Sequence, residues 1–104
     1  EVCVTSNLQT IPSLKSLDKH PIRQMIDHGL SVSICTDNRL VSNTTVSREM
    51  ELVCEHAKVS RVELKRLVVA GFKGAFFHGT FAEKREFVKA AVARYDKLAA
   101  KHFA

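Results

Sequence analysis

Up to residue 35, short β-prone runs alternate with a helix-like stretch. Beyond residue 45 helix periodicity takes over. Glu1-Val2-Cys3-Val4 is the first strand-like run, and the polar, turn-rich Thr5–Ser13 segment after it predicts a loop. His20-Pro21 opens a predicted helix, because proline is tolerated in the first turn, where its missing N–H is not needed. Ile22, Met25 and Ile26 give that helix an apolar stripe at i, i+3, i+4, and Gly29 follows as its C′ residue. Leu30-Ser31-Val32-Ser33-Ile34-Cys35 is the second strand-like run. Strand, loop, helix, strand at this spacing is a βαβ unit with parallel strands.

Three helices are expected after the polar Thr36–Thr45 loop. Val46, Met50, Val53, Cys54 and Ala57 would line one face of the first. Ser60 with Glu63 and Thr80 with Glu83 have capping-box spacing for the second and third. The second would bury Leu64, Leu67, Val68, Phe72 and Ala75, and the third Val88, Ala91, Val92, Tyr95 and Leu98. The fold class is therefore α/β, one continuous unit over residues 1–104 with no repeat or flexible linker. Two parallel strands alone leave unpaired edges, so the unit is expected to belong to a larger parallel sheet and to be incomplete by itself. Self-association through the open sheet, or binding to an N-terminal remainder, would cover those edges.

Composition narrows the setting. Hydrophobic residues make up 45% of the chain, with no run near the ~18 apolar residues of a membrane span and no charged-then-apolar leader. Three cysteines, far apart and without CxxC spacing, form neither a disulfide framework nor a thiolate metal site, which favours a reducing, cytoplasmic compartment. Residues 58–101 carry 11 Lys/Arg against 4 Asp/Glu, within a chain of net charge +5. A basic helical half suits a phosphate backbone, and a small basic helical binding module without catalysis is one reading. One Tyr and no Trp leave little for stacking on bases, which disfavours nucleic acid. The test is whether Lys65, Arg66, Lys84, Arg85 and Lys89 form one stripe.

Candidate chemistry concentrates at the end of the second run. In parallel α/β folds ligands bind at the carboxyl ends of the strands, and Thr36, Asp37 and Asn38 stand there. Asp37 suits either a metal ligand or the cap of a turn. Ser6 and Asn7, at the end of the first run, would line the same mouth or pin a loop. The five histidines (20, 28, 56, 78 and 102) show no HxH or HExxH pairing, so no complete zinc site is expected within this chain. Phe76, Phe77 and Phe81 are expected to anchor the last helix.

These motifs, taken in order, resemble the C-terminal part of the adenosine deaminase family. This is a branch of the metal-dependent amidohydrolases with a (β/α)8 TIM barrel. The matching stretches are Glu1–Asn7, His20-Pro21-Ile22, Gly29–Asn38, Thr44-Thr45 with Arg48-Glu49, and Gly71–Phe76, the last resembling bacterial members. The resemblance makes the two runs the seventh and eighth barrel strands, so the chain would be the last two strands and the following helices. It implies one zinc per complete active site, held by histidines outside this chain and by Asp37. It gives Asp37 a catalytic role beside the attacking water, and Asn38 a purine contact. The commoner family pattern has a second Asp where Asn38 stands. A carboxylate must be protonated to donate to purine N7, whereas an amide donates as it is. The implied reaction, in purine metabolism, is hydrolytic deamination of adenosine or deoxyadenosine to the inosine product and ammonia. A modified or related aminopurine nucleoside is the alternative substrate, and 104 residues against the ~250 of a barrel imply an inactive segment.

Overall fold

The computed structural model describes residues 1–103. Among them the chain forms α1 (Val4–Thr10), a 3-10 turn (Leu17–Lys19), α2 (Ile22–Asp27), α3 (Arg39–Ser42), α4 (Val46–His56), α5 (Arg61–Gly74) and α6 (Phe81–His102). The two expected strands are reduced to a single parallel bridge between Val2 and Ile34. Val2 N–H donates to the Ser33 carbonyl at 2.8 Å, and Cys35 N–H donates to the Val2 carbonyl at 2.9 Å. The direction is the expected one and the length is not, so the described residues are mostly helical where an α/β unit is predicted.

Helix α1 explains the short pairing. Helical hydrogen bonding begins with Asn7 N–H on the Cys3 carbonyl at 2.8 Å, leaving only residues 1–3 to pair as a strand. The loop predicted over Thr5–Ser13 is therefore helical as far as Thr10. Val4 and Ser6 are buried, while Leu8, Gln9 and Thr10 are exposed.

Sequence signals at the other helix ends act as read. Pro21 stands at the start of α2, and the buried His20 accepts the Ile22 N–H on Nδ1 at 3.0 Å. At its far end Gly29 takes φ +76°. Gly29 N–H donates to the Ile26 carbonyl and Leu30 N–H to that of Met25, at 3.0 and 3.1 Å, a Schellman motif. Ser60 and Glu63 form the full capping box of α5. Thr80 accepts the Glu83 N–H at 3.1 Å, but its hydroxyl also donates to the Glu83 carboxylate at 3.1 Å. The α6 cap is thus one-sided, with the acid held by the hydroxyl.

The core draws on Val2, Val32 and Ile34 from the bridged segments, Val4 of α1, Ile22 of α2, Val53 and Ala57 of α4 and its end, and Leu67 of α5, with none from α6. Arg23 of α2 reaches across to Glu63 and to the Ala57 carbonyl, the latter at 3.1 Å, so one guanidinium joins α2, the end of α4 and the α5 cap. Hydrogen bonds from Arg23, then from the Ser60 backbone, pull the Glu63 carboxyl down to about 2.

Helix α6 lies on α5 with Val88, Ala91, Val92 and Tyr95 half-buried, while Leu98 is exposed. Val46, expected on the buried stripe of α4, is exposed as well. The aromatic anchor also differs from expectation. Phe77 stacks on Phe87 at 5.2 Å and Phe72 meets the same ring edge-on at 5.7 Å, whereas Phe76 and Phe81 are exposed. Phe87 was missed because a lone aromatic on a charged helix carries no pairing signal.

Candidate active site

Two residues beyond the last bridge hydrogen bond, Asp37 takes φ +56°, a left-handed conformation that Asp tolerates better than most residues. Its side chain is exposed on one side and held on the other. The hydroxyl of the buried Ser6, in α1, donates to Asp37 Oδ2 at 2.9 Å. Thr36 Oγ1 donates to the Asp37 carbonyl at 3.0 Å, which pins the turn itself. The Cys3 thiol lies alongside. Burial raises its pKa first, the charges of Cys35 and Asp37 raise it further, and a hydrogen bond from the Asp37 backbone opposes them.

Asn38 is the N-cap of α3. Its Oδ1 accepts the N–H groups of Leu40 and Val41, both at 3.1 Å, so the carbonyl end of the amide is committed and the NH2 end is left as the donor. Helix α3 ends at Asn43, with φ +51°, and the Ser42 hydroxyl donates to Gln9 of α1 at 3.1 Å. The loop carrying Asn38 is thereby tied to the helix carrying Ser6. Asn7 serves the scaffold: its Oδ1 meets His20 Nε2 at 2.9 Å. Because His20 Nδ1 accepts from Ile22, Nε2 carries the proton, and burial lowers the pKa of this neutral imidazole.

Beneath these residues lies a carboxyl that the sequence marks only as part of the Arg48-Glu49 match, with no role attached. Glu49 of α4 has no exposed surface at all. Its Oε2 accepts the Thr5 backbone N–H at 3.1 Å, and its Oε1 accepts both the Thr5 hydroxyl and, at 2.8 Å, the Thr44 hydroxyl. A buried carboxyl without such donors would be strongly destabilising, and three satisfy this one. The same contact caps α1 from a helix far away in sequence.

The family model described as adenosine deaminase matches residues 1–93. The chain belongs to the adenosine deaminase family. It is 42% identical over 76 residues to the adenosine deaminase of Enterococcus faecalis, covering 73% of this chain and 22% of that protein. The probable adenosine deaminase of Dictyostelium discoideum is 40% identical over 76 residues, 73% of this chain and 10% of its own length. An adenosine deaminase of Clostridium botulinum is 35% identical over 92 residues, 88% of this chain and 26% of its own. The chain thus spans about a quarter or less of the length of these curated relatives. No solved structure gives a significant match.

An adenosine deaminase family member is expected to hold a metal, and the residues here fit one corner of such a site. Asp37 offers a carboxylate of the type zinc accepts, with its outer oxygen free of protein partners. Among the described residues no three His, Cys, Asp or Glu side chains converge on a common point. Three of the five histidines are engaged elsewhere: His20 as above, His28 Nδ1 on the Gln24 carbonyl at 2.8 Å, and His56 on Asp18 at 2.6 Å. Three of the five basic residues named for a stripe have partners within the chain. Lys65 pairs with Asp96 at 2.7 Å, Lys89 with Glu86 at 3.8 Å, and Lys84 donates to the Ala75 carbonyl at 3.0 Å. Among the described residues no helix is long and apolar enough to cross a membrane.

Proposed function

We propose that this chain supplies one zinc ligand, Asp37, and one purine contact, Asn38, to the active site of a cytoplasmic adenosine deaminase. On this reading the remaining ligands come from elsewhere in the intact (β/α)8 barrel, and the net reaction is adenosine plus water giving inosine and ammonia. The observation that carries the proposal is the juxtaposition at the end of the bridged segment. A carboxylate held by Ser6 stands next to an amide whose oxygen is already used, so adjacent exposed residues keep one carboxylate oxygen and one amide NH2 for a ligand, which supports this reading.

When bound, zinc supplies Lewis-acid activation of the attacking water. Asp37 would contribute negative charge toward holding the ion. Asn38 donates to purine N7, which fixes the face and register of the ring without a prior protonation step. Ser6 keeps one Asp37 oxygen occupied, so the carboxylate presents the other. The Val2–Ile34 bridge and the Cys35 hydrogen bond set the height of Asp37 relative to α1.

Asn38 reads N7 equally well in adenosine and in modified aminopurine nucleosides, so the assay should include both. Ammonia release from adenosine by the intact protein should depend on the metal, falling on chelation and returning with zinc. Asp37→Ala should abolish it, and Asn38→Leu should raise KM. Unchanged turnover in Asp37→Ala would end the zinc-ligand reading. Turnover of a modified nucleoside well above that of adenosine would move the assignment to that substrate.

A further inference from the structure

Ser6 and Asn38 stand on separate pieces of chain, α1 and the start of α3, yet the proposed site requires them in fixed register. The structure offers one side chain that touches the supports of both. Glu49 accepts twice from Thr5, the residue beside Ser6, and once from Thr44, two residues beyond the end of α3. Glu49 itself is held firmly: it has no exposed surface and lies in the first turn of α4, where the neighbouring Met50 and Val53 pack into the core. We propose that Glu49 is a positioning residue that clamps α1, whose Ser6 holds Asp37, against the segment that carries Asn38, a role that rests on the zinc and purine assignments above.

The argument is one of geometry and satisfaction. Thr5 N–H is an early amide of α1 with no partner inside that helix, so it needs an acceptor, and Glu49 Oε2 provides it. The carboxyl must in turn be fully satisfied because it is out of water, which makes all three hydrogen bonds mutually dependent. Moving α1 away from α4 would break two of them, and moving the α3 loop would break the third. A second tie, Ser42 on Gln9, joins the same two pieces nearer the surface.

The two halves of the clamp make separable predictions, and the intact protein is the material for all of them. Thr44→Val removes the tie on the Asn38 side and should raise KM for adenosine about fivefold with zinc affinity unchanged. Thr5→Val removes the hydroxyl tie on the Asp37 side and should weaken zinc binding about fivefold in chelator competition, with KM at saturating zinc unchanged. Glu49→Ala should show both effects. Glu49→Gln should restore both, because an amide of the same shape accepts from the Thr5 N–H and donates to the hydroxyls, which reverse their role. If Glu49→Ala does not fold, the two threonine variants and Glu49→Gln carry the test unaided. The clamp is refuted if the threonine variants lower thermal stability while zinc affinity and KM stay at the parent values, or if each shifts both quantities alike. Failure of the underlying reading looks different: Asp37→Ala would then bind zinc as the parent does.

Discussion

Replacing Ser6 by Ala separates the role of the scaffold from that of the site. The Ser6 hydroxyl donates to Asp37 Oδ2 at 2.9 Å and is otherwise buried. A hydrogen bond to a carboxylate is worth about 1.5–3 kcal/mol when enclosed. Asp37 is exposed on its other side, which brings the expected value to about 1 kcal/mol, or roughly fivefold in an equilibrium constant. The fold should hardly register the change. Ser6 lies within α1, where Ala is the better helix former by about 0.5 kcal/mol, and the Thr10 hydroxyl bonds the Ser6 backbone carbonyl, which remains. Ser6→Ala in the intact protein should therefore keep its melting temperature within about 3 °C, while zinc affinity falls about fivefold. The assays are differential scanning fluorimetry and competition against a chromophoric chelator on the same samples. Unchanged zinc affinity in a folded variant would refute the idea that Ser6 orients Asp37. A loss of more than about 2 kcal/mol of stability would instead make Ser6 a structural residue.

Three further outcomes follow from the scaffold. Ile22→Ala, at a side chain with 1% exposure in the centre of the core, should cost about 2–4 kcal/mol in denaturant unfolding, and a loss below 1 kcal/mol would show that the core collapses around it. Acid stability should report the Arg23–Glu63 contact. The Glu63 carboxyl is depressed from 4.5 to about 2, so its contribution is fully present above 4.5 and is lost as pH falls through about 2. Arg23→Met should flatten the pH dependence of stability across that window, and an unaltered profile would contradict the assignment. His20 works in the same sense at higher pH: burial lowers its pKa from 6.5, so acidification below 6.5 should destabilise the parent. Replacing His20 with Asn, which keeps an acceptor near the Ile22 N–H, should remove that slope in thermal melts.

Much of the architecture was legible because local signals and packing agree. Pro21 and Gly29 bracket α2, Ser60 and Glu63 start α5, and Val53 and Leu67 sit where the periodicity places them. The parallel direction of the two β-prone runs was readable as well, but neither their register nor the reduction of the pairing to one Val2–Ile34 bridge was. Helix α1 was not. Its residues Thr5–Thr10 are polar and turn-prone, and its capping acceptor comes from α4, forty-four positions along the chain. The bridging role of Glu49 was not legible for a related reason. A fully buried acid reads like a surface acid until the structure shows the Thr5 and Thr44 donors that satisfy it. At the site, Asp37 and Asn38 stood out as adjacent polar residues at a strand end. Nothing in their spacing told that Asn38 caps α3 or that Ser6 holds Asp37.

The zinc content of the Asp37→Asn variant tests the central assignment most directly. Asn tolerates the left-handed backbone at this position and can still meet the Ser6 hydroxyl, so the fold and the local geometry are kept while the ligand's charge is lost. In the intact protein, dialysed against zinc and analysed by elemental analysis beside the parent, the account requires about one zinc per chain in the parent and well under half of that in the variant. Equal zinc in the two proteins, with both folded, would contradict it.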